Sequence, residues 1–353
     1  MTTTTVPMSP APPDLARRRQ GILRFAAGVT AAFVLCEYMG WFPSFMAPLL
    51  AAVLLANLPV RPPLKMGIGL VLVMTAAAIF AFGLAALLRG TPFILFGMAS
   101  LCMFLCFHGM LNGKPRLPAM LFLICLATIP VVVLVAPNLG SMMPLALIRG
   151  VALAILLIWA VHALWPLPPM PVAANAQPPN PNLASPLTVA LLSTAVVLPL
   201  MLVYLLFGLT DALPVLVATV MLVVNFDLRR SGMHALALVL GNLAGGLLGL
   251  LLHTILLTTP TLPFLALLLF TVLMAFGQRI LAGGPGGAVA LIACNAMLII
   301  LSIAIASGPG PLSTWLTRVF QFALAGAFAT GMMTLVWHYA SRPPSRAVAR
   351  TGR

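Results

Sequence analysis

Pro166-Leu-Pro-Pro-Met-Pro171, followed by Val172 to Ala184 rich in Asn and Pro and closed by Ser185-Pro186, divides this chain of 353 residues. Residues 166–186 hold eight prolines and no charged side chain. Proline removes a backbone donor and blocks helix continuation, so the stretch reads as an extended, partly polyproline linker rather than a helix or strand. About the same length of almost purely apolar chain lies on each side, broken into six pieces before the linker and six after it. The pattern predicts two similar membrane halves joined in the middle.

Composition supports that reading. Hydrophobic residues make up 62% of the chain and charged residues 6%, with a mean hydropathy of +1.15. A water-facing surface needs about a quarter charged residues, whereas a lipid-facing one must be apolar. The formal charge of +14 would suggest nucleic acid in a soluble protein. In a membrane protein it follows from the concentration of Lys and Arg in cytoplasmic loops, and no nucleic-acid partner is expected. The five cysteines (Cys36, Cys102, Cys106, Cys125 and Cys294) fall inside apolar runs without zinc-like spacing to His and read as buried thiols. Residues 1–20 read as a disordered cytoplasmic N-terminus without a cleavable signal peptide.

The twelve apolar stretches run about 22–39, 44–60, 66–88, 92–111, 117–136 and 144–165 before the linker. After it they run about 187–208, 212–226, 234–257, 262–281, 287–307 and 313–339. The second and eighth are short for a full span. Residues 21–165 and 187–340 thus form two six-helix transmembrane repeats, with a basic cytoplasmic tail over 341–353. Twelve spans with both ends in the cytoplasm put fifteen of the eighteen Lys and Arg residues on that side. An odd number of spans would scramble this sorting.

The halves repeat. A shift of 168 positions aligns 40–92 with 208–260 without a gap. Gly40 meets Gly208, Asn57 meets Asn225, Arg61 meets Arg229, and Thr91-Pro92 meets Thr259-Pro260. A shift of 169 brings Cys125 onto Cys294 and Arg149 onto Arg318. Six spans separate equivalent positions, so the halves share one orientation, related by a pseudo-two-fold axis along the membrane normal. Gly241, Gly245 and Gly249 recur every fourth position on the ninth span, with Ala77 and Ala81 at matching places on the third. Such small-residue faces let helices pack closely in lipid.

Two six-helix halves, a basic loop after the second span of each, and a Gly-x-x-x-Gly helix following it resemble the fusaric acid resistance and aromatic acid exporter superfamily. Gly241-Asn242-Leu243-Ala244-Gly245 is similar to that superfamily's Gly-Thr-x-x-Gly element. Asn242 replaces its Thr, Leu238 stands where it usually has Arg, and the linker replaces its large cytoplasmic domain. The resemblance is greatest to a compact branch of unassigned function. Plant malate channels, built as dimers of six-helix units, are similar in plan. The resemblance implies an inner-membrane efflux component for small organic acids or drugs, with a periplasmic adaptor subunit as a partner.

Ionisable residues inside a bilayer are functional candidates by default. Arg149 and Arg318 occupy equivalent positions in the last helix of each half. Facing a shared cavity they would form a site for organic anions, since a guanidinium fork suits carboxylates. The alternative is that each snorkels to the outer headgroups. Glu37, the one acidic residue within a span, either pairs with an Arg, carries a coupling proton or lies at the interface. His253 is a second proton-coupling candidate. Asn242 and Asn295 near mid-span are placed to contact substrate or to bond between helices. Arg61, Asp227, Arg229 and Arg230 read as an inner-loop ion-pair cluster. His162, His338, Trp159, Trp165 and Trp337 read as interfacial anchors, and Asp211 as exposed on the periplasmic side.

With four acidic residues, the sequence offers no carboxylate pair for acid–base work and no metal cluster. It has no phosphate-binding Gly-x-x-x-x-Gly-Lys loop and no recognisable nucleophile arrangement. It therefore reads as a transporter without cofactor or metal rather than an enzyme. The expected function is proton-driven export of small, often aromatic, organic anions across the inner membrane. A passive anion channel is the alternative.

Overall fold

The computed structural model describes residues 12–58, 61–166, 186–207 and 232–308, together with positions 216–217, 219–220, 223–224, 316, 320, 327–328 and 331–332. Within them the regular structure is helical. The first part holds α1 (Pro12–Tyr38), α2 (Met46–Asn57), α3 (Leu64–Leu87), α4 (Pro92–Leu111), α5 (Arg116–Val135), the single turn α6 (Pro137–Gly140) and α7 (Met142–Leu164). The second part holds α8 (Pro186–Phe207), α9 (Gly232–Leu256), α10 (Leu262–Leu281) and α11 (Gly284–Ser307). Prolines open several of them: Pro63 and Pro115 stand just before α3 and α5, and α4, α10 and α11 carry Pro in the first turn. There the missing N–H would have had no helical partner. Gly113 ends α4 at a φ of +86° and Gly283 precedes α11 at +72°, a conformation that glycine adopts without a Cβ clash.

Nine of the described helices are long and apolar enough to cross a bilayer, which makes this a multi-pass membrane protein. α2, the expected second span, is not one of them. Its 12 residues rise about 18 Å, against roughly 30 Å of hydrocarbon. The residues from Met46 to Leu55 are all buried, so α2 lies inside the bundle rather than against lipid. After it Leu58 and Pro63 are extended, and the indole Nε1 of Trp159 donates to the carbonyl of Pro62 at 3.1 Å. Extended backbone in a membrane protein is tolerated where protein covers it, and a proline-rich run leaves fewer N–H groups to satisfy. The linker, most of the eighth and twelfth spans, and the tail lie outside the described residues.

Basic residues gather at one end of the bundle. Arg17, Arg18, Arg19 and Arg24 lie in the first part of α1, Arg61 and Lys65 around the start of α3, Lys114 and Arg116 between α4 and α5, and Arg279 near the end of α10. Arg18 Nη2 donates to the carbonyl of Gln278 at 3.2 Å, tying two of these groups together. Of the described Lys and Arg side chains, Arg89 and Arg149 alone belong to the far end.

Packing is strongest between α9 and α11, and between α3 and α5. Gly241, Gly245 and Gly249 lie against Val289, Ala293 and Met297. A Cβ built on Gly245 would stand 2.0 Å from the Ala293 carbonyl oxygen. Ala77 and Ala81 are buried on α3, and Met74 meets Cys125, with 3.5 Å between the sulfurs. α1 packs along α10, and α4 along α8.

Gly245→Ala is expected to lower stability by about 1–3 kcal/mol, because the Ala293 backbone must move to admit the methyl group. Gly83→Ala, on a face with no atom near the new carbon, is expected to be neutral or slightly stabilising. Thermal unfolding of the purified protein in detergent separates the two.

Candidate functional site

At the far end, α1 closes with Cys36, Glu37 and Tyr38, and the chain turns through Gly40, Trp41 and the Phe42–Pro43 peptide into Ser44 and α2. The turn folds back on α7. Arg149 stands two turns into α7, and its guanidinium carbon lies 5.0 Å from the centroid of the Trp41 ring, a cation–π contact. α7 can approach because Gly150 has no side chain: a Cβ there would be 3.3 Å from Met46 Cβ and 3.5 Å from the Ala47 nitrogen. Arg149 is half-buried, and its Nε has no hydrogen-bond partner among the described residues. A cavity of about 10 Å³ lies beside it, lined by Cys36, Trp41, Phe42, Pro43, Met46, Ala47, Ala146 and Gly150. That is room for one water-sized group, such as a carboxylate oxygen, and far short of the several hundred Å³ that whole organic ligands occupy.

Glu37 does not reach for an arginine. Its Oε1 accepts from Ser44 Oγ at 2.5 Å, and Ser44 Oγ lies 2.6 Å from Ser302 Oγ. Both serines are buried. Ser44 has one hydrogen, so when it donates to an ionised Glu37 the short contact requires Ser302 to donate to Ser44. If Glu37 is protonated and donates instead, Ser44 is free to donate to Ser302, and Ser302 turns its hydrogen elsewhere. The chain can therefore reverse with the charge of one carboxylate, and it joins α1 to α11.

The other expected site residues are dispersed. Asn242 and Asn295 are buried on the packed pair α9 and α11, and Asn295 Oδ1 has no partner among the described residues. His253 is buried in the last turn of α9. Arg61 is exposed at the basic end. Arg318, Asp227, Arg229 and Arg230 lie outside the described residues, as do Asp211, Trp337 and His338. His162, read as an interfacial anchor, is buried within the protein near the end of α7, and its Nδ1 donates to the Ile158 carbonyl at 2.8 Å. The sequence reading passed over Trp41, Ser44 and Ser302, since a serine or tryptophan near a span end carries no distinctive pattern. The spacing of Glu37 and Ser44 across a short Gly/Pro turn was the available signal.

Fold and site together define a multi-pass α-helical membrane protein with a polar cluster at one end and a basic opposite end. A family model described as "Protein of unknown function (DUF2955)" matches residues 21–162. The matched segment runs from α1 to α7 and includes Glu37, Ser44 and Arg149. No curated protein and no solved structure matches the chain.

Ser44→Ala removes the described donor to a part-buried carboxylate and is expected to cost about 1–3 kcal/mol. Ser302→Ala leaves the Glu37–Ser44 bond in place and should cost about 1 kcal/mol or less. Thermal unfolding of both variants in detergent measures the difference; equal losses would show that the carboxylate does not hold this chain together.

Proposed function

We propose that the chain is an inner-membrane secondary transporter that exports small, often aromatic, organic acids or drugs in exchange for protons. Both termini are cytoplasmic in this reading, and the basic end is the cytoplasmic one. The observation that carries the proposal is Arg149: a half-buried guanidinium with an unused donor, stacked on an aromatic ring. Such a group favours a ligand that has both a carboxylate and an aromatic face. Trp41 then acts as the lid that has to move before a ring can enter. Glu37 is the proton-carrying group, and the reversible serine chain couples its charge to α11. A periplasmic adaptor would receive the substrate beyond Trp41.

The reading includes two six-helix repeats about an axis along the membrane normal. The helix contacts support it. Under the shift of 168 positions, the α3–α5 pair corresponds to α9–α11, and α1–α10 corresponds to α8–α4. A two-fold arrangement produces such exchanged pairs, with the first helix of each half against the fourth of the other. The same axis would set Arg318 opposite Arg149.

Scarcity of acids favours a second reading, a passive organic-anion channel, since Glu37 is the one acidic residue in the predicted spans. Proteoliposomes separate the two. Exchange predicts benzoate movement driven by an imposed pH gradient and lost in Glu37→Gln. A channel predicts benzoate current without the gradient and little effect of that change. In either case Arg149→Ala and Arg318→Ala are expected to slow transport about tenfold or more, the equivalent of one charged hydrogen bond. In cells the same variants should fail to restore resistance to aromatic acids in a deletion strain. Normal resistance at normal protein levels in both would remove these arginines from the mechanism.

A further inference from the structure

At the basic end, Arg24 is 3% exposed and His162 is 7% exposed. Arg24 Nε and Nη2 and His162 Nε2 are buried without hydrogen-bond partners among the described residues. The two side chains share one region, for the Gly28 face of α1, one turn from Arg24, meets Val161, the neighbour of His162 on α7. The surroundings hold them there. Arg24 follows Gly21 by three residues and precedes Gly28 by four on α1. A Cβ on Gly21 would meet Leu281, and one on Gly28 would meet Leu55 and Val161. The guanidinium thus stands where α1 meets the ends of α2, α7 and α10. Trp159 pins the strap that carries Arg61: its Nε1 bonds Pro62, and its ring fills the space over Gly67.

Buried guanidinium nitrogens without a counter-ion are costly, and Arg24 with Arg61 nearby makes this region positive with no described acid near it. His162 Nδ1 donates to the Ile158 carbonyl, so in the neutral ring Nε2 is an acceptor; it donates to an anion only as the imidazolium, with a proton taken up on binding. We propose that Arg24, His162 and Arg61 form an oxyanion-binding site at the basic end of the bundle, which takes a carboxylate or phosphate group. The occupant comes either from solution, as a small organic or inorganic anion, or from the headgroup of an anionic lipid. In the transport reading, on which this one step rests, the site is the loading station for the exported acid. The binding itself does not depend on that reading.

The test uses the full-length protein in nanodiscs of phosphatidylcholine, without any gradient, so that loss of transport and loss of binding are read separately. Benzoate and inorganic phosphate are titrated in by calorimetry, and the melting temperature is followed alongside. A parallel sample contains phosphatidylglycerol. Saturable binding in neutral lipid, weakened about tenfold or more by Arg24→Met, assigns the site to a soluble anion. A melting shift produced by phosphatidylglycerol alone, and lost in Arg24→Met, assigns it to a headgroup. His162→Leu leaves the guanidinium in place and should weaken either response in a protein that still folds. The same response in the wild type and both variants would overturn the site. So would Asp14→Asn or Asp227→Asn lowering the melting temperature as far as Arg24→Met does with no anion binding by the wild type, because the counter-ion would then be internal. Binding in nanodiscs together with no transport in proteoliposomes would remove the transport reading and leave the site standing.

Discussion

Hydrocarbon accepts no unpaired backbone and little charge, and this chain is arranged around that restriction. Nine described helices are long enough to pair their backbones across the thickness, apart from the bonds lost at Pro130 in α5 and Pro199 in α8. The short α2 does not reach, and its surroundings show how the shortfall is met. Protein encloses it from Met46 to Leu55, its continuation is rich in prolines, and an indole from α7 covers the Pro62 carbonyl. Neighbouring side chains thus take over the solvation that the helix leaves unfinished. The same restriction keeps most charges out of mid-depth, since each Lys or Arg there would cost several kcal/mol; the bias to one end is the separate positive-inside effect.

Lipid also removes the drive that brings helices together in water. Helices here associate where small residues allow backbones to touch, so that dispersion and weak polar contacts accumulate. Gly245 against the Ala293 backbone is the extreme case. α3 and α5 use alanines in place of those glycines and add a pair of sulfurs. Contacts between the two parts of the chain rest on different helices, α1 with α10 and α4 with α8. Side-chain hydrogen bonds across the parts are few among the described residues, which gives the Glu37–Ser44–Ser302 chain and the exposed Arg18–Gln278 bond weight beyond their number.

Hydrophobic runs made the membrane class and most helix ends legible in the sequence, because a span announces itself by length and by the Pro and Gly that bound it. The second run misled for a physical reason. Apolar length from 44 to 60 does not distinguish a span from a helix buried in protein, and the prolines that end it at residue 57 sit within an otherwise hydrophobic stretch. Arg149 and Glu37 were legible as rare ionisable groups in spans. Their partners were not, since a serine beside Pro43 and another on α11 are brought to one carboxylate by tertiary packing alone. The burial of Arg24 was not legible either: an arginine ahead of an apolar run looks like one more positive charge at the basic end, and the glycines at 21 and 28 hint that its face is covered.

Charge at both ends of one helix pair explains why α2 merits more interest than its length suggests. Its first turn, Met46 and Ala47, lines the cavity beside Arg149, and Leu55 near its other end meets the Gly28 face of α1, one turn from Arg24. A single buried helix therefore runs from the Arg149 cavity to within one turn of Arg24 on α1. Because α2 is enclosed, displacing it exchanges one set of apolar protein contacts for another and exposes little to lipid. Its two flanks are extended or turn-like rather than helical, so they can take up φ/ψ changes that a continuous span would resist. A full-length helix anchored at both interfaces would lose those freedoms.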